Sequence, residues 1–251
     1  MLKKIPRFFV SIIILGYVFA FFSLFNPSES GKIIGIVCFL VAVVLHILLI
    51  TSQEYKSSRH LSKASKYIEK GNAEAAYGEI LESAKLYQNE DALYQLFQNK
   101  AKYKKTVGEV AGLISKNIKD HDTPYFRLIG GMMFYIAGNL NRSLDLLLKI
   151  KEDDLTIKMV RLIGSIFYDM KDYDNALEYL SIYDPPYMPM NEDEMAVVYG
   201  MGLCYLAKGI KDKAIEYLER VEVRNGKFGN VSKILASIEE AENSEESEEE
   251  K

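Results

Sequence analysis

Residues 202–218, GLCYLAKGIKDKAIEYL, decide the fold, because residues 164–180, GSIFYDMKDYDNALEYL, repeat their pattern. In both stretches a glycine is followed by an aromatic residue after three positions and by a turn after seven. An alanine follows the glycine after twelve positions and a leucine after sixteen. Two further copies begin at Ala64 and Gly131. Four copies in one register indicate an internal structural repeat.

The four copies agree in residue type at each of these positions. The two small residues are Ala64 and Ala76, Gly131 and Ser143, Gly164 and Ala176, Gly202 and Ala214. The aromatic residues are Tyr67, Phe134, Phe167 and Tyr205, and the last aliphatic residues are Ile80, Leu147, Leu180 and Leu218. Such spacing favours helices over strands, because it places like residues on one helical face.

The pattern predicts pairs of helices joined by a short turn. The two small residues allow the helix axes to approach, since bulky side chains there would force them apart. The aromatic residue lies one turn along the first helix and fills the space between the helices. The last aliphatic residue is expected to present the second helix to the next pair. Each pair leaves an apolar face uncovered, so successive pairs must stack.

This pattern resembles the tetratricopeptide repeat (TPR), a unit of 34 residues. The best copies begin near Ser57, Pro124, Ile157 and Met195, although the tryptophan common in the family's first helix is absent. The resemblance implies an all-α fold, a TPR-like α-solenoid over residues 57–242. Residues 91–123 match the small-residue rule poorly but carry helical spacing, which brings the expected total to about five helical pairs.

The end of the solenoid is also predicted. Val231, Ile234, Leu235 and Ile238 share one helical face, which is typical of a capping helix that covers the last pair. Residues 239–251 hold eight acidic residues and one basic residue. Because like charges repel and nothing there can be buried, residues 243–251 are predicted to form a disordered acidic tail.

Two uncharged apolar runs precede the repeats, at residues 8–25 and 33–50. Each is long enough to cross a bilayer core of about 30 Å, so residues 1–52 are predicted to form a two-helix transmembrane hairpin. Basic residues flank both outer ends, at Lys3, Lys4, Arg7, Lys56, Arg59, Lys63 and Lys66. The positive-inside rule therefore places both termini in the cytoplasm of a multi-pass plasma-membrane protein. The alternative is a cleaved signal peptide, but no small-residue cleavage site follows the first run.

The rest of the sequence carries no recognisable chemistry. Residues 61–238 hold 24 basic and 25 acidic residues, which argues against a nucleic-acid partner. The sequence contains no phosphate-binding loop, and its three histidines and two cysteines are scattered. We therefore expect no catalytic, cofactor-binding or metal-binding residues, and a protein that is not an enzyme.

A binding surface is what remains. In the TPR family the first helices of successive pairs line a concave groove, and their exposed positions select the ligand. The resemblance implies a peptide-binding groove formed by Tyr125, Met132, Tyr135, Lys158, Arg161, Tyr168 and Tyr199. Each tyrosine has packing between helical pairs as its alternative role. Two exposed bases one turn apart, Lys158 and Arg161, predict an acidic protein or peptide partner.

Together these patterns predict a non-enzymatic adaptor or scaffold that holds a protein partner at the cytoplasmic membrane face. It would contact membrane lipids through its two transmembrane helices. Two alternatives stay open. The hairpin could contact client helices, as in an assembly or quality-control factor for membrane proteins. The protein could also be a membrane-tethered regulator or sensor, in which the repeats relay what the hairpin perceives.

Overall fold

A computed structural model describes residues 8–23, 25, 28–97, 99–183, 185 and 190–249, and within them the side chains of residues 10–241. The described residues are helical and contain no strand. They belong to two compact units, Met1–Asn117 and Ile118–Lys251. The boundary falls inside the repeat region predicted for residues 57–242.

The first unit contains α1 (Phe8–Ser23), α2 (Glu29–Thr51), α3 (Gln53–Glu69), α4 (Ala73–Leu86), α5 (Glu90–Phe97) and α6 (Lys104–Lys116). The second contains α7 (Pro124–Ile136), α8 (Leu140–Leu147), α9 (Ile157–Asp169), α10 (Tyr173–Ser181), α11 (Glu192–Ala207), α12 (Lys211–Asn225) and α13 (Val231–Glu249). Short 3-10 turns lie between several of these helices.

Helices α1 and α2 pack against each other in opposite directions. Small residues make this approach possible: a Cβ added at Gly35 would lie 1.5 Å from the Ser23 hydroxyl oxygen. Further along, the Tyr17 hydroxyl lies 3.1 Å from His46 Nδ1. Only α2, with 23 residues, is long and apolar enough to cross a membrane among the described helices. Helix α1 has 16 residues, shorter than the predicted run, so a two-span hairpin stays a prediction.

A single residue separates α2 from the first repeat helix. Ser52 leaves the helical region (φ −62°, ψ 148°), so α3 does not continue the axis of α2. Its hydroxyl donates to the Leu49 carbonyl oxygen at 2.7 Å and accepts the Tyr55 amide at 3.1 Å. One serine therefore caps both helix ends, which satisfies backbone groups that would otherwise lack partners.

In the first unit, α3 and α4 form a helical pair whose Ala64, Ala76 and Ile80 are fully buried. Helix α5 then packs on α3, and α6 packs on α4. Leu93 and Phe97 of α5 are fully buried, as are Val107, Val110, Ala111 and Ile114 of α6. Residues 91–123 thus contribute two further helices that pack mainly on the preceding pair rather than on each other, and α5 has only eight residues.

Three helical pairs build the second unit: α7 with α8, α9 with α10, and α11 with α12. In each pair the leucine sixteen positions after the glycine covers that glycine. A Cβ added to the glycine would lie 2.5 Å from Leu147 Cγ at Gly131, 2.6 Å from Leu180 at Gly164 and 2.8 Å from Leu218 Cγ at Gly202. The sequence predicted that this leucine presents the second helix to the next pair, but in each pair it also fills the space that the glycine of its own pair leaves. Leu180 also reaches the next pair, at Gly200.

The turns of all four predicted copies adopt one backbone conformation. Gly71, Gly138 and Gly209 have φ of 75°, 84° and 73°, and Lys171 has φ 62°. In three copies the next residue, Asn72, Asn139 or Asp172, caps the second helix through its side chain. The shared turn gives every pair the same geometry, and only the Lys171 turn achieves it without glycine.

Replacing Lys171 with glycine should stabilise the second unit. A side chain in the left-handed region costs roughly 1–2 kcal/mol, and glycine avoids this cost. Part of the gain is offset, because glycine loses more conformational freedom on folding. We expect Lys171→Gly to raise the free energy of unfolding by about 1 kcal/mol, measured by thermal melting of the full-length protein. Met170→Gly is the matched control, since Met170 is an exposed neighbour with φ −79°. An equal rise in the free energy of unfolding in both variants would show that relief of the left-handed conformation at Lys171 is not the cause.

Helix α13 closes the second unit as the predicted capping helix. Val231 and Ile238 join the buried core of α11 and α12, and Ile234 and Leu235 pack against it. The helix continues to Glu249, where the sequence predicts a disordered tail from residue 243. Extension of a packed helix requires no new nucleation, which explains how this acidic segment continues the helix.

Candidate peptide-binding groove

The second unit contains a concave groove of about 380 Å³ on its first helices. Helices α9 and α11 form its floor, which includes the small residues Gly164, Ser165 and Gly200. Tyr135 at the end of α7 lies at one side, and Phe228 and Gly229 before α13 lie at the other. Small residues on the floor and rings at the rim leave space for an extended chain.

Four of the seven predicted groove residues line this cavity: Tyr135, Arg161, Tyr168 and Tyr199. The Tyr135 hydroxyl donates to Asp169 Oδ2 at 2.8 Å. The Tyr199 hydroxyl donates to the Gly229 carbonyl oxygen at 2.7 Å and holds the loop before α13. Both rings are therefore fixed in place. Because they are already ordered, they lose less side-chain entropy when a ligand binds.

The structure excludes two predicted residues from the groove. Tyr125 and Met132 are buried, with exposed fractions of 1% and 3%. Helix α7 carries apolar residues on nearly every side, and nine of its 13 residues are buried. The TPR-derived assignment treats these positions as exposed, but here they belong to the core.

The sequence predicted that Lys158 and Arg161 are exposed and free for a ligand. In the structure both instead pair with the Asp193 carboxylate of α11. The Lys158 side chain is only 15% exposed and the Arg161 side chain 33%. These ion pairs tie α9 to α11, and one negative charge compensates part of two positive charges. Arg161 remains at the groove surface, whereas Lys158 lies outside the lining.

The tyrosine hydroxyls and the cysteine thiol of the groove stay protonated at neutral pH. Burial raises the pKa of Tyr168 and Tyr199, and burial together with the Asp169 carboxylate raises the pKa of Tyr135 further. Burial also raises the pKa of the Cys204 thiol to about 11, against an opposing effect of Lys208. The groove thus presents hydroxyl donors and a neutral thiol, which suit binding rather than nucleophilic catalysis.

Several residues that line the groove or pair with its lining were not predicted from the sequence. Asp193 follows Lys158 and Arg161 by 35 and 32 residues, about one repeat, so its opposite charge could have indicated the pairing. Asp169 follows Tyr135 by 34 residues in the same way. The Phe228–Gly229 loop had no such signal, because it lies after the last repeat. Among the residues that the structure describes, no three His, Cys, Asp or Glu residues are arranged to hold a metal ion.

Helix order and turn geometry define a module of repeated helical pairs. Comparison with known families agrees, since residues 196–224, in α11 and α12, match the tetratricopeptide repeat family. The chain therefore carries a tetratricopeptide repeat, and the predicted resemblance is confirmed at this stretch. A comparison with curated proteins gives no match.

Proposed function

We propose that the protein is a non-enzymatic, membrane-tethered adaptor whose second unit binds an extended segment of a partner protein. The observation that carries this proposal is the tyrosine-rimmed groove over α9 and α11. Tyrosine supplies a large and rigid contact area at low entropic cost, as is common where proteins recognise peptides. The tetratricopeptide repeat at 196–224 supports the same class of function.

The chemistry of the groove favours a segment that presents a carboxylate. Among the described residues that line the groove, Arg161 is the one cation, and Asp193 already occupies part of its guanidinium. A carboxylate of the partner would compete with Asp193, or share Arg161 with it, while apolar side chains contact the rings of Tyr168 and Phe228. The preference for acidic partners is then moderate, because Asp193 and Asp169 keep the groove from being strongly basic.

The tether in this proposal is the α1–α2 hairpin, with both termini in the cytoplasm of a plasma-membrane protein. Helix α2 supports it by its length and apolar character, and α1 packs along it. A tether places the partner near the bilayer, which raises its local concentration there.

One observation also favours the alternative of an assembly factor. An apolar groove of about 430 Å³ lies on the hairpin, lined in part by Tyr17, Gly35 and Phe39. Such a groove with a glycine at its base would admit another transmembrane helix. In that case the hairpin itself would contact the client.

Exchange of the hairpin separates these functions. We expect a chain whose residues 1–52 are replaced by an unrelated two-span anchor to keep the partner of the wild type. The readout is photo-crosslinking from Ser165, an exposed residue of the groove floor. A matched exchange that retains the hairpin but replaces residues 118–251 should lose the partner. The reverse pattern would contradict the adaptor and assign function to the hairpin.

A further inference from the structure

The outer face of α3 is basic along its whole length. Lys56, Arg59, Lys63, Lys66 and Lys70 follow one another at spacings of three and four residues. At 3.6 residues per turn these five positions fall within about 80° of arc. The buried residues of α3, among them Leu61, Ala64 and Ile68, point the opposite way. We refer to the five bases as the basic face.

No acidic residue of α3 interrupts this face. Glu54 and Glu69 are the acidic residues of the helix, and both fall outside that arc. Lys63 lies 3.4 Å from Glu79 of α4. Within the described part of the chain the other four bases take part in no ion pair, and Arg59, Lys66 and Lys70 are exposed. An ordinary solvated helix face usually mixes both signs of charge, so an all-positive face requires a separate explanation.

The position of the basic face indicates what it meets. Only Ser52 separates α2, the helix long enough to span a membrane, from α3. Lys56 is therefore about one helical turn from the end of α2. Tyr55, 41% exposed, lies beside it, and tyrosine is enriched where a membrane meets water. Ser52 also turns the chain away from the axis of α2, so α3 does not simply project onward.

We propose that the basic face binds anionic phospholipid headgroups at the membrane surface where α2 ends. Lys and Arg residues next to a membrane helix attract anionic lipids, each increasing the docked population up to about fivefold. Docking of α3 would fix the first unit at the bilayer surface rather than leave it on a loose tether. This proposal rests on the membrane tether of the proposed function but goes beyond it.

The test uses the full-length protein in lipid nanodiscs. A fluorophore is attached at Ser62→Cys on α3, in a chain whose Cys38 and Cys204 are alanine, and is quenched by a lipid with a nitroxide headgroup. We expect phosphatidylserine discs to give several-fold stronger quenching than phosphatidylcholine discs at low salt. The difference should shrink as added salt shortens the screening length.

Two variants with equal loss of charge complete the test. The first changes Lys56, Arg59, Lys66 and Lys70 to glutamine and spares Lys63, whose loss would remove an ion pair with Glu79. The control changes four exposed lysines elsewhere in the same unit: Lys102, Lys104, Lys105 and Lys116. We expect the first variant to lose the dependence on phosphatidylserine and the control to keep it.

Four results would overturn the proposal. The wild type could show equal quenching in both lipids, or the control could lose the dependence as fully as the first variant. The first variant could instead keep its quenching and lose a protein partner, which would assign the basic face to an acidic protein. A chain that does not co-elute with nanodiscs at all would contradict the tether itself and this proposal with it.

Discussion

Exchanging Arg161 and Asp193, as Arg161→Asp with Asp193→Arg, should strongly weaken partner binding by the groove while the protein stays folded. The exchange keeps an ion pair between α9 and α11, and the new aspartate lies one turn from Lys158, so the partly buried charges remain paired. The groove surface, however, changes from a cation to an anion. A carboxylate of the partner then meets repulsion where it had an attractive contact. We expect crosslinking from Ser165 to fall at least about tenfold, as for loss of an interface hot spot.

A matched exchange separates this effect from a general change in charge. Lys208 of α11 pairs with Asp174 of α10, a further ion pair between successive helical pairs, and neither residue lines the groove. Lys208→Asp with Asp174→Lys should leave crosslinking unchanged. Both exchange variants should melt close to the wild type. If the control exchange reduces crosslinking as strongly, the groove is not the site that recognises the partner.

The second large effect is expected at Gly202 of α11, which packs against Leu218 of α12. A Cβ there would lie 2.8 Å from Leu218 Cγ and 3.4 Å from the Leu218 backbone nitrogen. Because Leu218 is fully buried, it has little room to move. Gly202→Leu should therefore overpack the contact and lower the free energy of unfolding by roughly 1–3 kcal/mol or more. Thermal melting of the detergent-solubilised protein, followed by circular dichroism, measures this loss.

Two further variants test the reason for that loss. Gly78→Leu makes the same change on an exposed face of α4 with nothing within 4 Å, and should be neutral or slightly stabilising because leucine favours helices. Adding Leu218→Ala to Gly202→Leu returns space to the contact and should recover part of the stability. If Gly202→Leu melts like the wild type, the repeat register assigned here is wrong.

More of the fold than of the groove could be predicted from the sequence. The repeat register could be predicted because Gly164 and Gly202 recur with their turns and leucines, and the structure places them in corresponding helical pairs. The contact between each glycine and the leucine sixteen positions later could not be predicted. Spacing alone does not show which side chain fills the space beside the glycine. The aromatic stacks of Phe167 on Tyr179 and Tyr205 on Tyr217 were equally hidden.

The groove was predicted only in part, for physical reasons. Tyr168 and Tyr199 follow from their positions on first helices. The burial of Tyr125 could not be predicted in this way. Its exposure depends on how completely α7 is covered, which is a property of the whole fold rather than of the helix. The pairing of Arg161 with Asp193 depends on the distance between two helices, which a motif on one helix does not contain.

The most direct test of the adaptor is site-specific photo-crosslinking in the native membrane. The full-length chain carries a photoreactive residue either at Ser165, in the groove, or at Val223 of α12, which is 70% exposed and outside the groove. The proposal predicts a discrete adduct from Ser165 in the membrane fraction, absent from Val223 and lost in the Arg161–Asp193 exchange variant. An adduct from Val223 but not from Ser165, or an adduct from Ser165 that survives the exchange, would contradict it.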